Sequence, residues 1–178
     1  DDLADLLDEL PETVVKQALK GMDYQYRTRL EGVMNYDEDT AGGLMNTDTI
    51  TIRPDVTLDV VLKYLRLRKE MPQNTDNIIV VDRYNHYLGT LSVAALLCTD
   101  PEKTVSESMD NDYISINADT LANEVTNIFE DRDLVSAPVV DKNNILLGRI
   151  TIDDVVDVIR EESEHTVCLL YTSDAADE

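Results

Sequence analysis

The sequence predicts an α+β protein: an N-terminal helical segment followed by two β-α-β-β-α repeats. Two observations predict it. The phrase Val139-Val140-Asp141, Leu147-Gly148, Thr151-Ile152-Asp153-Asp154 has an earlier counterpart in Val80-Val81-Asp82, Leu88-Gly89, Ser92-Val93-Ala94-Ala95. The interval from Asp82 to Gly89 equals that from Asp141 to Gly148, which marks an internal repeat. Ahead of the repeats, the apolar residues of 3–34 recur at helical spacing.

Within that N-terminal stretch, Leu3, Leu6, Leu7 and Leu10 form one helical stripe, ended by Pro11. Val14, Val15, Ala18, Leu19 and Met22 form a second, and Tyr26, Leu30, Val33 and Met34 a third, with Asp23 as its cap. Residues 1–35 are thus a helical unit, and 36–43 an acidic linker ending in Gly42-Gly43, a loop in which close backbone approach is expected.

The first repeat spans 44–102. A strand is expected over Thr49–Arg53, a helix with Leu58, Val61, Leu62 and Leu65 inward, and a fully apolar strand Ile78–Val81. A turn, a second strand and the helix Val93–Cys98 follow, with Cys98 buried. The second repeat spans 103–165. It has a strand Ile114–Ile116, a helix capped by Asp119-Thr120 and carrying Leu121, Val125, Ile128 and Phe129, then strands Ala137–Val140 and Ile145–Ile152. Its closing helix has an apolar face of Val155, Val156 and Ile159. The first repeat is longer around Met71–Thr75, where a longer loop is expected. One such unit buries too little apolar surface to stand alone, so the two are expected to share a core.

Composition narrows function. A net charge of −22 argues against nucleic acid as a direct ligand, because phosphate contacts need a positive face. It suits a chain neutralised by cations. No apolar run approaches the ~18–20 residues of a membrane span, and no leader is expected ahead of Leu3. His86 reads as an exposed turn residue, and His165 has no nucleophile near it in the pattern. P-loop, dinucleotide and CxxC motifs are absent, so no enzyme is expected. Carboxylates are the plentiful functional group. Asp1 and Asp5 share a helix face, Asp154 and Asp157 another with Glu161 a turn further, and Asp133 lies in the loop before the second apolar strand. Taken singly, each reads as a solvated surface charge; taken as a set, in a chain of net charge −22, they read as cation ligands.

The tandem repeat with VVD, LG and [ST]xxD elements resembles a pair of CBS domains. The order of helical segment, Thr40-Ala41-Gly42-Gly43-Leu44-Met45, two repeats and acidic closing helix resembles the cytosolic part of the MgtE family of magnesium channels, over residues 1 to about 165. That resemblance implies a Mg²⁺-sensing module on the cytoplasmic face of the cell membrane. It would be a homodimer joined to a transmembrane pore of the same polypeptide, and would close on Mg²⁺ to gate it. It implies metal ligands at Asp5, Asp1, the Gly43 carbonyl, Asp133, Asp154 and Glu162. It also implies, as the alternative, an adenosine-nucleotide sensor binding ATP, with Thr151, Asp153 and Asp154 at the ribose; Ala95 stands where the first repeat would need the matching carboxylate. The family's closing helix would continue with acidic residues, whereas this chain reads His165 to Asp174 without that pattern. Residues 166–178 are therefore expected to be a non-native tail.

Overall fold

The computed structural model describes residue 31, residues 35–68 and residues 70–176. The helices expected over 3–34 fall, Glu31 apart, outside the described residues, as do Asp1 and Asp5. The repeat architecture stands as expected. The first repeat holds β1 (Thr51–Ile52), α2 (Leu58–Arg68), β2 (Asn77–Val81), β3 (Tyr87–Ser92) and α3 (Val93–Cys98), after a short α1 (Ala41–Leu44). The second holds β4 (Ile116–Asn117), α5 (Ala122–Arg132), β5 (Ser136–Val140), β6 (Leu146–Thr151) and α6 (Ile152–Ala176), after a short α4 (Val105–Ser108). Each sheet has three strands, β1-β2-β3 and β4-β5-β6, the first pair parallel and the second antiparallel.

The central strands are apolar at nearly every position because both of their faces are buried. Ile78 and Val80 point into a core with Leu58, Val61, Leu91 and Leu96. Ile79 and Val81 point the other way, into a smaller cluster with Tyr87, Val140 and Leu146. In β5, Val139 joins the second repeat's own core and Val140 joins that shared cluster. Among the described residues the repeats therefore form two cores joined by this third cluster, rather than one common core.

The tips of the two β-turns clasp each other. Tyr87 N donates to Asn144 O at 2.9 Å and Leu146 N to Asn85 O at 3.0 Å. The Asn85 and Asn144 amides then donate to Leu146 O and Tyr87 O, each at 2.9 Å. Both asparagines are left-handed, with φ of 69° and 62°, a conformation their short polar side chains tolerate.

The leading segments are exchanged. Ala41 and Met45 precede β1, the first strand of the first repeat, but pack in the core of the second, with Ile116, Phe129 and Ile150. Val105 and Met109 precede β4, the first strand of the second repeat, but pack in the core of the first. Backbone pairs fix both: Asn46 N donates to Arg149 O at 2.7 Å and Arg149 N to Asn46 O at 2.9 Å, mirrored by Thr90 N to Asp110 O at 3.0 Å and Asp110 N to Thr90 O at 2.7 Å. These contacts explain the glycine of the repeated LG pair. A Cβ on Gly148 would stand 2.6 Å from Asn46 O, and one on Gly89 would stand 2.3 Å from Asp110 O.

Several local expectations are corrected. The 36–43 linker does not stay a loop to Gly43: Thr40 caps α1, its hydroxyl accepting from Gly43 N. The α5 helix starts at Ala122, after Leu121, and not at an Asp119-Thr120 cap. Thr120 O is taken by Ala41 N, and Leu121 is bridged to Thr40, which keeps that stretch extended. Leu121 is therefore exposed. The α6 helix buries Val155 and Val158, while Val156 and Ile159 face outward. Cys98 is exposed, at the last turn of α3. His86 is half-buried, its Nδ1 2.9 Å from the Asp82 carboxylate. Apart from these corrections, α6 continues through residue 166 to Ala176.

Replacing Gly148 by alanine drives a methyl into backbone rather than into a flexible side chain. Gly148→Ala should lower stability by about 1–3 kcal/mol, read as a fall in the urea midpoint at unchanged slope.

Candidate functional site: the second-repeat cleft

Thr151 ends β6 and Asp154 lies in the first turn of α6. The Asp154 carboxylate accepts from Thr151 N at 3.0 Å and from the Thr151 hydroxyl at 2.9 Å. Asp153 also accepts from that hydroxyl. The hydroxyl has a single proton, so it serves one carboxylate at a time. Burial pushes the Asp154 carboxyl above the ordinary carboxylate range, with the charges of Asp153 and Asp157 adding to it. Asp153, exposed, is held below that range, chiefly by the Thr151 hydrogen bond.

Sequence reasoning missed the cleft's cation. Arg149, in β6, is 6% exposed. Its guanidinium donates to Gln73 O at 2.6 Å and to Asn74 O at 3.2 Å, and its Nε has no partner. Burial lowers its pKa, while Asp48, Asp76, Asp154 and Asp153 oppose that. The usable signal was a lone charge inside an apolar strand, since arginine is rarely buried without partners. Nearby, the Asp76 carboxylate accepts from Ser136 Oγ at 2.5 Å. Tyr113 donates its hydroxyl to Ser136 O at 2.7 Å, and its pKa is pushed up to about 12 by burial and by Asp76.

The first repeat's equivalent cleft is simpler. Ser92 caps α3, its hydroxyl accepting from Ala95 N at 3.0 Å, and no carboxylate stands at position 95.

The carboxylates named from the family resemblance are only partly gathered. Gly43 and Glu162 line one cavity of about 670 Å³, along with Glu38, Asp39, Glu161 and His165. Asp133 and Asp154 are not among its lining residues. Asp133 is the exposed, left-handed residue that ends α5, at φ 51°. Among the described residues, no group of three or more His, Cys, Asp or Glu side chains stands close enough to hold a metal ion.

The fold and this cleft define a CBS pair, and comparison with known proteins agrees. The CBS domain family matches residues 41–99 and 104–161, and the chain belongs to it. The MgtE intracellular N domain matches residues 1–39, which makes the chain the N-domain and CBS-pair module of an MgtE-family protein. It is 34% identical over 180 residues to the magnesium transporter MgtE of Thermus thermophilus, covering 99% of this chain and 40% of that protein. A crystal structure of the cytosolic domain of the Mg²⁺ channel MgtE in complex with ATP is 34% identical, with a TM-score of 0.76, covering 88% of this chain and 64% of that one. The soluble part of a magnesium transporter is 26% identical, with a TM-score of 0.77, covering 89% and 62%. CBS and MgtE N domains are regulatory, not catalytic. Among the described residues no helix is long and apolar enough to cross a membrane.

The raised carboxyl gives a pH signature. Folded Asp154 holds its proton more tightly than the unfolded chain does. Its charge therefore costs stability as pH rises from the unfolded pKa through the raised folded one. Depressed Asp153 acts oppositely, its stabilisation being lost as pH falls through its folded value. Asp154→Asn keeps an acceptor for Thr151 and removes only the first effect. Urea midpoints measured across weakly acid pH should show the variant losing the gain that the wild type makes on mild acidification.

Proposed function

We propose that this chain is the regulatory module of an MgtE-type magnesium transporter, and that it responds to an adenosine nucleotide bound in the second-repeat cleft. The observation that carries this is the asymmetry of the two clefts: Thr151, Asp153 and Asp154 stand with a buried Arg149 in one, and Ser92 with Ala95 in the other. The ATP-bound relative supports the ligand class. The residues fit a nucleoside. Asp153 is exposed and, like Asp154, is an acceptor for ribose hydroxyls, and Arg149 Nε is a buried donor that lacks an acceptor. Calorimetry with ATP should give one site per chain, and Asp153→Ala should weaken it roughly tenfold, the scale of one charge-assisted hydrogen bond. Two equal sites, or no heat at all, would reject the asymmetric cleft.

A second reading is Mg²⁺ sensing, favoured by the cavity that brings Glu38, Asp39, Glu161 and Glu162 beside Gly43. Mg²⁺ keeps several waters and needs only one or two carboxylates, so a loose acidic cavity suits it better than a tight cluster would. This reading would also draw on Asp133 and Asp154, which do not line that cavity, and on Asp1 and Asp5, which lie outside the described residues. Like charges at several ångströms repel by about 1 kcal/mol or more per pair at an effective dielectric near 20, and a bridging cation reverses that sign. Closure would pass along α6 to a transmembrane pore of the same polypeptide, at the cytoplasmic face of the membrane. Exposed Leu97, Val156 and Ile159 suit a homodimer formed through the CBS helices. Sedimentation should show a dimer at high micromolar concentration whose coefficient rises with millimolar Mg²⁺. A monomer would remove the dimer, and an unchanged coefficient would remove the sensor.

A further inference from the structure

Eight residues separate α2 from β2, where three, 133–135, separate α5 from β5. The extra residues cross to the other repeat. The carbonyls of Gln73 and Asn74 accept from the Arg149 guanidinium at 2.6 and 3.2 Å. The Asn74 amide donates to the Asp153 carboxylate at 2.9 Å. Asn74 turns the loop in the left-handed region, at φ 54°, and Thr75 Oγ1 closes it by donating to Pro72 O at 2.6 Å. At its foot, Asp76 is anchored to Ser136 of the second repeat.

We propose that residues 72–75 are a strap that closes the second cleft and is displaced when the nucleotide binds; the proposal rests on the nucleotide reading above. The strap holds the same groups that reading assigns to the ligand, Arg149 and Asp153. Ribose hydroxyls take the place of the Asn74 amide as donors to Asp153, and ligand acceptors take the place of the two carbonyls at Arg149. The strap is inexpensive to lift, because Gln73 and Asn74 are exposed and its hold is polar rather than packed. Ligand affinity is then reduced by the fraction of time the strap is closed. The matching loop on the first cleft's side is five residues shorter. Ligand occupancy in the second repeat is thereby reported as a movement of the first.

Asn74→Gly removes the bond to Asp153, and glycine adopts φ 54° without strain, so the variant is expected to fold. It should bind ATP roughly fivefold tighter than wild type by calorimetry, the scale of one hydrogen bond. In the wild type, ATP should raise the rate of limited proteolysis within residues 72–75. Equal affinities, or a strap that ATP leaves equally or less cleavable, would overturn the strap while leaving the nucleotide site in place. Absence of ATP heat in both proteins would overturn the nucleotide reading and the strap with it.

Discussion

Two backbone clamps, Asn46 with Arg149 and Thr90 with Asp110, are what the rest of the molecule depends on. Each holds a segment that leads into one repeat against a strand of the other. Because α1 and Met45 complete the second core while α4 and Met109 complete the first, neither repeat has a whole core of its own. That is the physical answer to a unit of some 60 residues being too small to fold by itself. The clamps require backbone to lie against backbone at Gly89 and Gly148, which accounts for the glycine in the repeated phrase. They also set the cleft: the residue whose backbone pairs with Asn46 is the one whose side chain supplies the buried guanidinium.

The pseudo-symmetry is close in the frame and broken in the clefts. Asn85 and Asn144 trade equivalent hydrogen bonds across the shared face, and the two sheets have the same register. The departures fall together. The longer loop, the buried arginine and the two carboxylates all serve one cleft, while its twin carries Ala95. Duplication explains the frame. These departures, among the described residues, lie on the same side, as the proposed single ligand site requires.

What was legible in the sequence follows from what is local. The apolar strands β2 and β5 were readable because burial on both faces leaves no polar position to blur them, and α3 was readable from its bounded apolar run. The outer strands β1 and β4 shrink to two residues because each has a single parallel partner, which no local pattern announces. The start of α5 and the buried face of α6 were misjudged for a different reason. Leu121 is held extended by Thr40, some 80 residues earlier, and α6 has apolar residues on two faces, of which tertiary packing chooses Val155 and Val158. In the site, the Thr151–Asp154 pair was visible as a motif, and its capping geometry is that of a helix start. The partners of Arg149 were not visible, because they are main-chain carbonyls in another repeat.

The charge balance in the cleft carries the synthesis one step further. Moving a guanidinium out of water is costly unless its donors are met, and here one of them is not. Asp48, Asp76, Asp153 and Asp154 favour the charged form, while burial lowers its pKa. The Asp153 and Asp154 carboxylates also compete for a single Thr151 proton. A surplus donor beside surplus acceptors is a poor arrangement for stability alone. It suits a ligand that brings hydroxyls for the carboxylates and an acceptor for the guanidinium at once. The surrounding acids, in a chain of net charge −22, further favour a ligand recognised through its sugar rather than through bare phosphates.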